Sequence, residues 1–427
     1  MGVRFGTDGL RGRAGEAPIR AEEGRALGRA AARWATELGG TAVLVAHDPR
    51  PSSPDLEASV VEGIRSMGVT AARLGCVPTP VVGVALAAGL AHVGVMVTAS
   101  HNPAPDNGFK VIGPKGRKPL ADEVAKLEGW MDATETAPAL GAEAFCGVEA
   151  LTAWDRAVAA LDLELPRRAL VVDFAHGAAT AMRSRLERLW PGPLHVVGDG
   201  SGVVNDGVGS EHLEHLGAAV LRHGAWAGLA VDGDGDRCRL VDEQGRPVPG
   251  DAVTWLLAGA MGVAGLAVTV MSTTALEAQL TGVQVIRTDV GDKHLMAAMV
   301  EHELPLGAEE SGHVLFGDYP AGDGLVAGLR ALAAVGERPV SQALAPFSPF
   351  PRQLGKVRVA ARPPLDSVAP VQQAVSAAEQ RLGPNGRVFL RYSGTEPVLR
   401  ILVEGPDAAT VEAAYASVQD VVVQVMT

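Results

Sequence analysis

The chain contains 427 residues, a length typical of about three domains. Its 37 basic and 49 acidic residues give a net charge of −12, and so acidic a surface repels the phosphate backbone of a nucleic acid. Hydrophobic residues make up 47% of the sequence, which is enough for large cores and excludes wholesale disorder. Nucleic-acid binding is therefore disfavoured as the main activity.

The cellular setting is predicted from what the sequence lacks. Its three cysteines are far apart and form no CxxC pair, which is typical of a reducing cytoplasm. The first ten residues contain no apolar segment of a signal peptide. Two apolar stretches, 81–91 and 255–271, fall short of the roughly 20 strongly apolar residues that a membrane span needs. We therefore expect a cytoplasmic protein whose apolar stretches lie in buried cores.

The first third of the chain alternates between helical and extended patterns. Apolar residues at helical spacing predict a helix over 27–38, which ends at a glycine pair. An apolar run over 42–46 predicts a buried strand. Ser53, followed by proline, predicts the N-cap of a second helix that Gly68 closes. Strand, helix and strand at this spacing predict βαβ units and a mostly parallel sheet.

Shifts in composition predict four segments rather than three. A stretch rich in Ala, Thr and Pro over 132–149 is typical of a linker, and residues 242–247 have the pattern of a turn-rich hairpin. Three prolines over 346–352 precede a predicted strand at 354–361 and a predicted helix at 371–382. The predicted boundaries give domains at 1–148, 149–247, 248–352 and 353–427.

The most informative motif is an acidic loop at 232–237, directly after the apolar strand predicted at 228–231. Asp232, Asp234 and Asp236 repel one another unless a cation binds them, and the glycines between them let the loop curl. Mg²⁺ prefers such carboxylates together with a substrate phosphate. An EF-hand is disfavoured, because Arg237 occupies its glycine position and the flanks are strand-like. A phosphatase with Asp232 as nucleophile and a non-catalytic metal-binding module both stay open.

A second motif, Thr-Ala-Ser-His-Asn-Pro at 98–103, follows the strand predicted at 93–97. The Asn-Pro turn predicts that Ser100 and His101 are exposed at the end of that strand. A serine hydroxyl is a poor nucleophile unless a base or a metal activates it, or unless it already carries the group to be transferred. Lys110, a little further along, is a candidate cation or proton-transfer group.

Three further segments carry candidate binding residues. The segment 391–397 after a predicted strand combines a guanidinium, two hydroxyls and a glycine, which suits a phosphate, and a second arginine follows at 400. The segment 309–313 offers carboxylates and a hydroxyl, the usual partners of sugar hydroxyls. The glycine-rich opening at 5–12 presents Arg11 to an anion.

Taken in this order, the motifs FGTDGLRG, TASHNP, DGDGDR, Glu-x-Ser-Gly-His and RYSGTEP resemble those of the phosphohexomutase superfamily. The resemblance runs from residue 5 to residue 397 and so covers nearly the whole chain. It implies an α/β architecture of four domains around a central cleft. Three of them are α/β domains with mixed sheets, and the C-terminal one is a smaller α+β domain.

The resemblance also implies a role for each motif. Ser100 is carried as phosphoserine, and its phosphate completes the shell of one Mg²⁺ begun by Asp232, Asp234 and Asp236. Arg11 and Lys110 flank the phosphoserine, with either Lys110 or His101 assisting proton transfer. The implied substrate-binding residues are Arg237, Glu309, Ser311, His313, Arg391, Ser393, Gly394, Thr395 and Arg400.

Within the superfamily, the stretches 205–210, 287–292 and 322–325 are most similar to the branch that acts on glucosamine phosphates. That branch implies conversion of glucosamine 6-phosphate to glucosamine 1-phosphate through glucosamine 1,6-bisphosphate, which feeds UDP-N-acetylglucosamine and cell-wall synthesis. A monomer or a homodimer with a small-molecule substrate is expected. Ala308 and Glu310 depart from the pattern of the branch, so a phosphomannomutase/phosphoglucomutase stays open as the alternative.

Overall fold

Four β-sheets form the framework of the part of the chain that the structure describes. The structure is a computed structural model, and it describes residues 5–6, 8–133, 137, 139–393 and 396–427. The chain divides into two compact units, of which the first contains Met1–Val270 with Ile286–Ala345 and the second Met271–Val285 with Pro346–Thr427. Three of the four sheets lie in the first unit, apart from two residues of one edge strand, and the fourth lies in the second.

The first sheet has six strands in the order β1-β5-β4-β2-β3-β6. Strands β4, β2, β3 and β6 run parallel, whereas β1 and β5 are antiparallel additions at one edge. Its strands are β1 (Leu10–Arg13), β2 (Ala42–His47), β3 (Thr70–Cys76), β4 (Val93–Val97), β5 (Asp106–Ile112) and β6 (Glu143–Phe145). The helices of this region are α1 (Ala21–Glu37), α2 (Ser53–Ser66), α3 (Thr79–Ala87), α4 (Ala121–Met131) and α5 (Gly147–Ala159).

The predicted elements of this region are present, with one correction at a helix start. Helix α2 begins at Ser53 with Ser52 at the N-cap position, so the prediction of Ser53 as the cap is wrong. The hydroxyl of Ser53 instead donates a hydrogen bond to buried Asp48 (2.8 Å). The side chain is therefore used in a buried polar network rather than at the helix terminus. The predicted linker at 132–149 contains β6 and the start of α5, and its residues 134–136 and 138 lie outside the described residues.

The second and third sheets are also mixed, with orders β10-β9-β7-β8 and β12-β11-β13-β14. Their strands are β7 (Leu170–Asp173), β8 (Leu194–Val197), β9 (Ala227–Val231), β10 (Cys238–Val241), β11 (Gly265–Thr269), β12 (Gln284–Thr288), β13 (Leu306–Ala308) and β14 (Val314–Phe316). The helices over these residues are α6 (Arg183–Leu189), α7 (Leu213–His223), α8 (Gly250–Met261), α9 (Ala275–Gln279), α10 (Asp292–Glu301), α11 (Gly324–Val335) and α12 (Val340–Leu344).

The two apolar stretches of the sequence are core elements, as predicted. Residues 81–91 contain most of α3, and residues 255–271 are divided between α8 and β11. Strand β11 is fully buried. Among the residues that the structure describes, none of the helices combines the length and the apolar character that crossing a membrane requires.

The second unit contains a three-stranded antiparallel sheet of order β15-β17-β16. Its strands are β15 (Arg352–Arg358), β16 (Arg387–Tyr392) and β17 (Val398–Glu404), and its two long helices are α13 (Ala369–Leu382) and α14 (Ala408–Met426). Both helices contribute to one buried apolar cluster with the inner faces of the strands. The predicted α/β fold with mixed sheets and a small C-terminal α+β part is confirmed, while the four domain boundaries stay a prediction.

Candidate active site

Two loops from different sheets meet at the carboxyl ends of β4 and β9. The hydroxyl of Ser100 donates a hydrogen bond to Oδ2 of Asp232 (2.6 Å), and Nδ1 of His101 lies 3.3 Å from the same hydroxyl. The approach requires a glycine at 233, since a Cβ there would lie 2.6 Å from the Ser100 carbonyl oxygen. Ser100 is only 1% exposed, so the prediction of an exposed serine is wrong. The acidic loop covers it.

The backbone around Ser100 is held by a buried arginine that the sequence analysis did not single out. Ser100 has φ of +54°, a strained conformation for a residue with a side chain. The guanidinium of Arg50 is 1% exposed and uses all five of its N–H groups. Their acceptors are Oδ2 of Asp48 (2.9 Å) and the carbonyl oxygens of Ser100 (2.8 Å), Asn102 (2.8 Å), Pro103 (2.5 Å) and Asp106 (2.9 Å).

Asn205, which lies between β8 and α7, is a second clamp on the serine loop, in the sense that it holds the backbone of that loop by hydrogen bonds. The side-chain amide of Asn205 donates to the carbonyl oxygens of Ser100 (2.8 Å) and Asn102 (3.0 Å).

The contribution of Asp48 and Arg50 to the site could have been predicted from their position in the sequence. Asp48 and Arg50 follow β2 directly, and β2 is the parallel neighbour of β4, so polar residues there lie at the same sheet edge as Ser100.

The three aspartates of the acidic loop form a site that fits a hard divalent cation. All three are buried, and they offer ligand oxygens that lie within 4.8 Å of one another. One oxygen of Asp234 and one of Asp236 have no hydrogen-bond partner although they are buried. Burial, together with the charges of its two neighbours, raises the pKa of Asp232 well above its usual range. Unpartnered buried carboxylate oxygens of this kind are the ligands that Mg²⁺ takes.

Lys110 supplies the nearest positive charge. Its ammonium group lies 2.7 Å from Asp234, 2.8 Å from Asp236 and 2.9 Å from Asp8. Burial alone would lower the pKa of Lys110, but the three carboxylates outweigh it and hold the pKa well above its usual range. Arg11 pairs with the same Asp8, and its buried Nε has no partner. Lys110 is therefore a fixed cation beside the acidic loop.

The loop at 309–313 lies against the acidic loop. A backbone bridge joins His313 to Arg237. Glu309 is 8% exposed and accepts hydrogen bonds from the Gly291 backbone (3.0 Å) and the Ser311 hydroxyl (3.2 Å). Burial alone would lower the pKa of His313, but contact with Asp236 and nearby carboxylates raises it to about 9.

His101 is shifted in the opposite direction. Burial and the positive charges of Arg237 and Arg11 lower the pKa of His101 to about 4. The imidazole is therefore neutral near pH 7, while that of His313 is charged. The two histidines thus differ in the proton that they carry, which the sequence does not reveal.

A cavity of about 470 Å³ lies beside these loops, a volume in the range of small-molecule sites. Of the sequence-predicted residues, it is lined by Arg11, His101, Asp236, Arg237, Glu309 and His313. Within the described part of the chain, the predicted residues Ser100, Lys110, Asp232, Asp234 and Ser311 are not among its lining residues. Asp8 and Asp292 also line it, although the sequence motifs assigned them no role.

The predicted phosphate-binding segment belongs to the second unit. Arg391 of β16 lies directly opposite Arg400 of β17, so two like charges share one position of the sheet. Such a pair is unfavourable unless an anion compensates it. Ser393 is 5% exposed, and its hydroxyl accepts a hydrogen bond from the backbone of Glu396 (3.3 Å). Gly394 and Thr395 lie outside the described residues.

Comparison with known proteins gives the class that this fold and site define. Models of the phosphoglucomutase/phosphomannomutase family match three stretches, the alpha/beta/alpha domain I at residues 2–137, the alpha/beta/alpha domain III at 249–350 and the C-terminal domain at 354–421. The chain belongs to this family.

Among curated relatives, the chain is similar to the phosphoglucosamine mutases of two mycobacteria. The protein of Mycolicibacterium vanbaalenii is 39% identical over 431 residues, which cover 96% of each chain. The protein of Mycobacterium marinum is 39% identical over 442 residues, which cover 99% of each chain. The similarity therefore extends over the serine loop, the acidic loop and the second unit.

Solved structures show the same fold. A phosphoglucomutase/phosphomannomutase family protein of Burkholderia thailandensis has a TM-score of 0.78 at 26% identity, covering 100% of this chain and 97% of that one. The N-acetylphosphoglucosamine mutase of Aspergillus fumigatus, solved with GlcNAc-6P and magnesium, has a TM-score of 0.70 at 19% identity, covering 100% and 96%. The second likeness concerns the fold alone.

Proposed function

We propose that this chain is a phosphoglucosamine mutase, which interconverts glucosamine 6-phosphate and glucosamine 1-phosphate. The observation that carries the proposal is the hydrogen bond from the Ser100 hydroxyl to Asp232 of the acidic loop. This contact unites a hydroxyl that can carry a phosphoryl group with the carboxylates of a metal site. The names of the full-length curated relatives support glucosamine phosphate as the substrate.

Asp232, Asp234 and Asp236, with phosphorylated Ser100, would hold one Mg²⁺. The bound ion supplies positive charge that neutralises the transferring phosphoryl group. The buried oxygens of Asp234 and Asp236 that have no hydrogen-bond partner support this proposal, because a bound cation would supply the partner that they lack.

Two histidines of the chain would transfer protons, and Lys110 would contribute a fixed positive charge. Neutral His101 lies 3.3 Å from the Ser100 hydroxyl and is able to accept a proton there. Lys110 stays protonated between its three carboxylates and contributes charge. Charged His313 is a proton donor beside the cavity. We therefore assign His101 rather than Lys110 as the base nearest to the serine.

The remaining residues would bind the substrate. Glu309, which Gly291 and Ser311 hold by hydrogen bonds, lines the cavity and would accept hydrogen bonds from sugar hydroxyls. Arg391 and Arg400, with the loop at 393–395, would bind the phosphate that is not reacting. The product of the first transfer is a bisphosphate, glucosamine 1,6-bisphosphate. It has to turn over so that its other phosphate faces Ser100.

The test is a substrate panel with and without Mg²⁺. Glucosamine, glucose and mannose 6-phosphates are offered to the protein with a trace of the matching 1,6-bisphosphate, and the 1-phosphates are measured. We expect the highest kcat/KM for glucosamine phosphate and loss of turnover in EDTA. Ser100→Ala should lose nearly all activity, whereas Ser376→Ala, at an exposed serine of α13, should retain it.

Each competing function predicts a different outcome of the same panel. Preference for mannose or glucose phosphate would make the chain a phosphomannomutase/phosphoglucomutase. Release of inorganic phosphate by the Ser100→Ala variant, with an acid-labile acyl phosphate on Asp232, would make it a phosphatase. Mg²⁺ binding without any turnover would leave a metal-binding module.

A further inference from the structure

Six charged side chains form a closed ring of alternating sign at the candidate active site. Four of its six links involve Asp236, Lys110 or His313, which the mechanism uses, and the other two are the links that Lys118 makes. In ring order the members are Asp236, Lys110, Asp8, Lys118, Asp292 and His313, which returns to Asp236. The Lys110 ammonium lies 2.8 Å from a carboxylate oxygen of Asp236 and 2.9 Å from one of Asp8, and the Lys118 ammonium lies 3.1 Å from one of Asp292. The imidazole nitrogens of His313 lie 3.7 Å from Asp292 and 3.8 Å from Asp236.

Lys118 closes this ring from outside the cavity. It lies between β5 and α4, its side chain is 16% exposed, and it contacts both Asp8 and Asp292. Burial alone would lower the pKa of Lys118, but the two carboxylates more than offset it and raise the pKa. Asp8 and Asp292 line the 470 Å³ cavity, whereas Lys118 lines a second cavity of about 680 Å³ together with Asp8 and Lys110. Lys118 therefore reaches the first cavity only through its partners.

The two carboxylates that Lys118 joins belong to different parts of the chain. Asp8 lies in the N-terminal loop beside β1, and Asp292 begins α10. Each also contacts one proton-carrying group of the site, since Asp8 contacts Lys110 and Asp292 contacts His313. Removal of Lys118 leaves both carboxylates without a shared cation, so each is free to shift toward its other partner.

We propose that Lys118 is a positioning residue, which through Asp292 sets the place of His313 and through Asp8 sets the place of Lys110. The proposal rests on the proposed mutase function and deepens it. Displacement of a catalytic group by about 1 Å costs on the order of 100-fold in rate. Because Lys118 does not line the cavity, its loss should lower kcat and leave KM nearly unchanged.

The experiment compares four variants of the full chain. Lys118→Met removes the charge, Lys118→Arg keeps it, and Asp292→Asn breaks the ring at the next link. Lys126→Met is the matched control, because Lys126 is an exposed lysine of α4 that lies outside the ring. We expect kcat to fall about 30- to 100-fold in Lys118→Met with KM within about threefold. Lys118→Arg should recover most of that loss, and Lys126→Met should keep the wild-type kcat.

The double variant Lys118→Met/Asp292→Asn tests whether the two residues act together. If Lys118 acts through Asp292, the double variant is little slower than the slower single variant. Additive losses, an effect on KM alone, or equal kcat in Lys118→Met and Lys126→Met would overturn the proposal.

A stability cycle separates this proposal from the proposed function. The melting temperature of the Lys118→Met/Asp292→Asn protein should fall less than the sum of the two single falls, whichever sugar phosphate is the substrate. Additive falls would remove the physical link between the two residues and refute the ring. A wild-type protein inert on every sugar phosphate would refute the mutase function instead, and the catalytic role of Lys118 with it.

Discussion

Replacing Arg50 by lysine keeps a positive charge beneath the serine loop but removes the planar guanidinium whose hydrogen bonds hold that loop. The guanidinium has five N–H groups, and each one finds an acceptor within 3 Å. A lysine ammonium has three donors, so at least two of the five acceptors lose this partner. The carbonyl oxygens of Ser100 and Asn102 keep their bonds from Asn205, and that of Pro103 keeps its bond from the backbone N–H of Asp106 (3.0 Å).

The structure sets the size of the effect. Two lost hydrogen bonds to a charged donor cost about 1.5 kcal/mol each at the lower end, so Arg50→Lys should cost about 3 kcal/mol. Arg50→Met also leaves the fully buried carboxylate of Asp48 without its cation, and breaking such a pair costs about 3–5 kcal/mol by itself. The matched control is Arg25→Met, because the Arg25–Glu62 pair is exposed and worth at most about 1 kcal/mol.

Thermal unfolding followed by circular dichroism measures the three variants. At about 2 °C per kcal/mol for a unit of this size, Arg50→Lys should lower Tm by about 6 °C and Arg50→Met by more, while Arg25→Met stays within about 2 °C. Below the transition, the folded Arg50→Lys protein should also turn over more slowly, because the strained backbone of Ser100 is less firmly held. A Tm for Arg50→Met equal to that of Arg25→Met would refute the reasoning.

Further predictions concern the second clamp, a helix cap and a thiol. Asn205→Ala should cost only about 1 kcal/mol of stability, since Arg50 still binds the same carbonyls, yet lower kcat for Ser100-dependent turnover more than KM. An unchanged kcat would contradict this. Asp323→Ala should lower the free energy of unfolding by about 2–4 kcal/mol, because Asp323 caps α11 and accepts the buried indole N–H of Trp154 (2.7 Å). In alkylation at pH 8, Cys238 should stay unlabelled until the protein is denatured, because burial raises its thiol pKa to about 12 and leaves about 10⁻⁴ of it as thiolate. Rapid labelling of the native protein at this position would contradict that prediction.

The sequence motifs predicted which segments of the chain form the candidate site, but not how those segments are arranged in space. The alternation of apolar runs and glycine-ended helical patterns predicted β2, α2, β4 and β9 within a few residues, because burial on a sheet or along a helix leaves a periodic trace. The sequence motifs placed an acidic loop after β9 and a serine loop after β4, since α/β sheets carry their sites at the carboxyl ends of strands. The two strands belong to different sheets, so only the structure shows that the loops meet. The exposure of Ser100 was predicted wrongly, because a turn motif does not show what packs over it.

The residues that the motifs missed act through contacts distant in sequence. Arg50 lies 50 residues before Ser100, and Lys118 joins Asp8 to Asp292 over 110 and 174 positions, respectively. Neither Arg50 nor Lys118 belongs to a sequence motif that would predict its burial. A single basic residue in a loop has the same neighbours in sequence whether its side chain is buried or solvated.

The sequence by itself determined the α/β class and the carboxylate triad of a candidate metal site, because these depend on local spacing and on residue chemistry. The expected phosphoryl-carrying role of Ser100 came from the resemblance of the motifs to a known family. Only the tertiary structure decided which charges lie side by side. The pKa values of His101, at about 4, and of His313, at about 9, differ because one is buried near arginines and the other near carboxylates. Electrostatic energy depends on distance in space, and distance in space is set by the packing of the sheets.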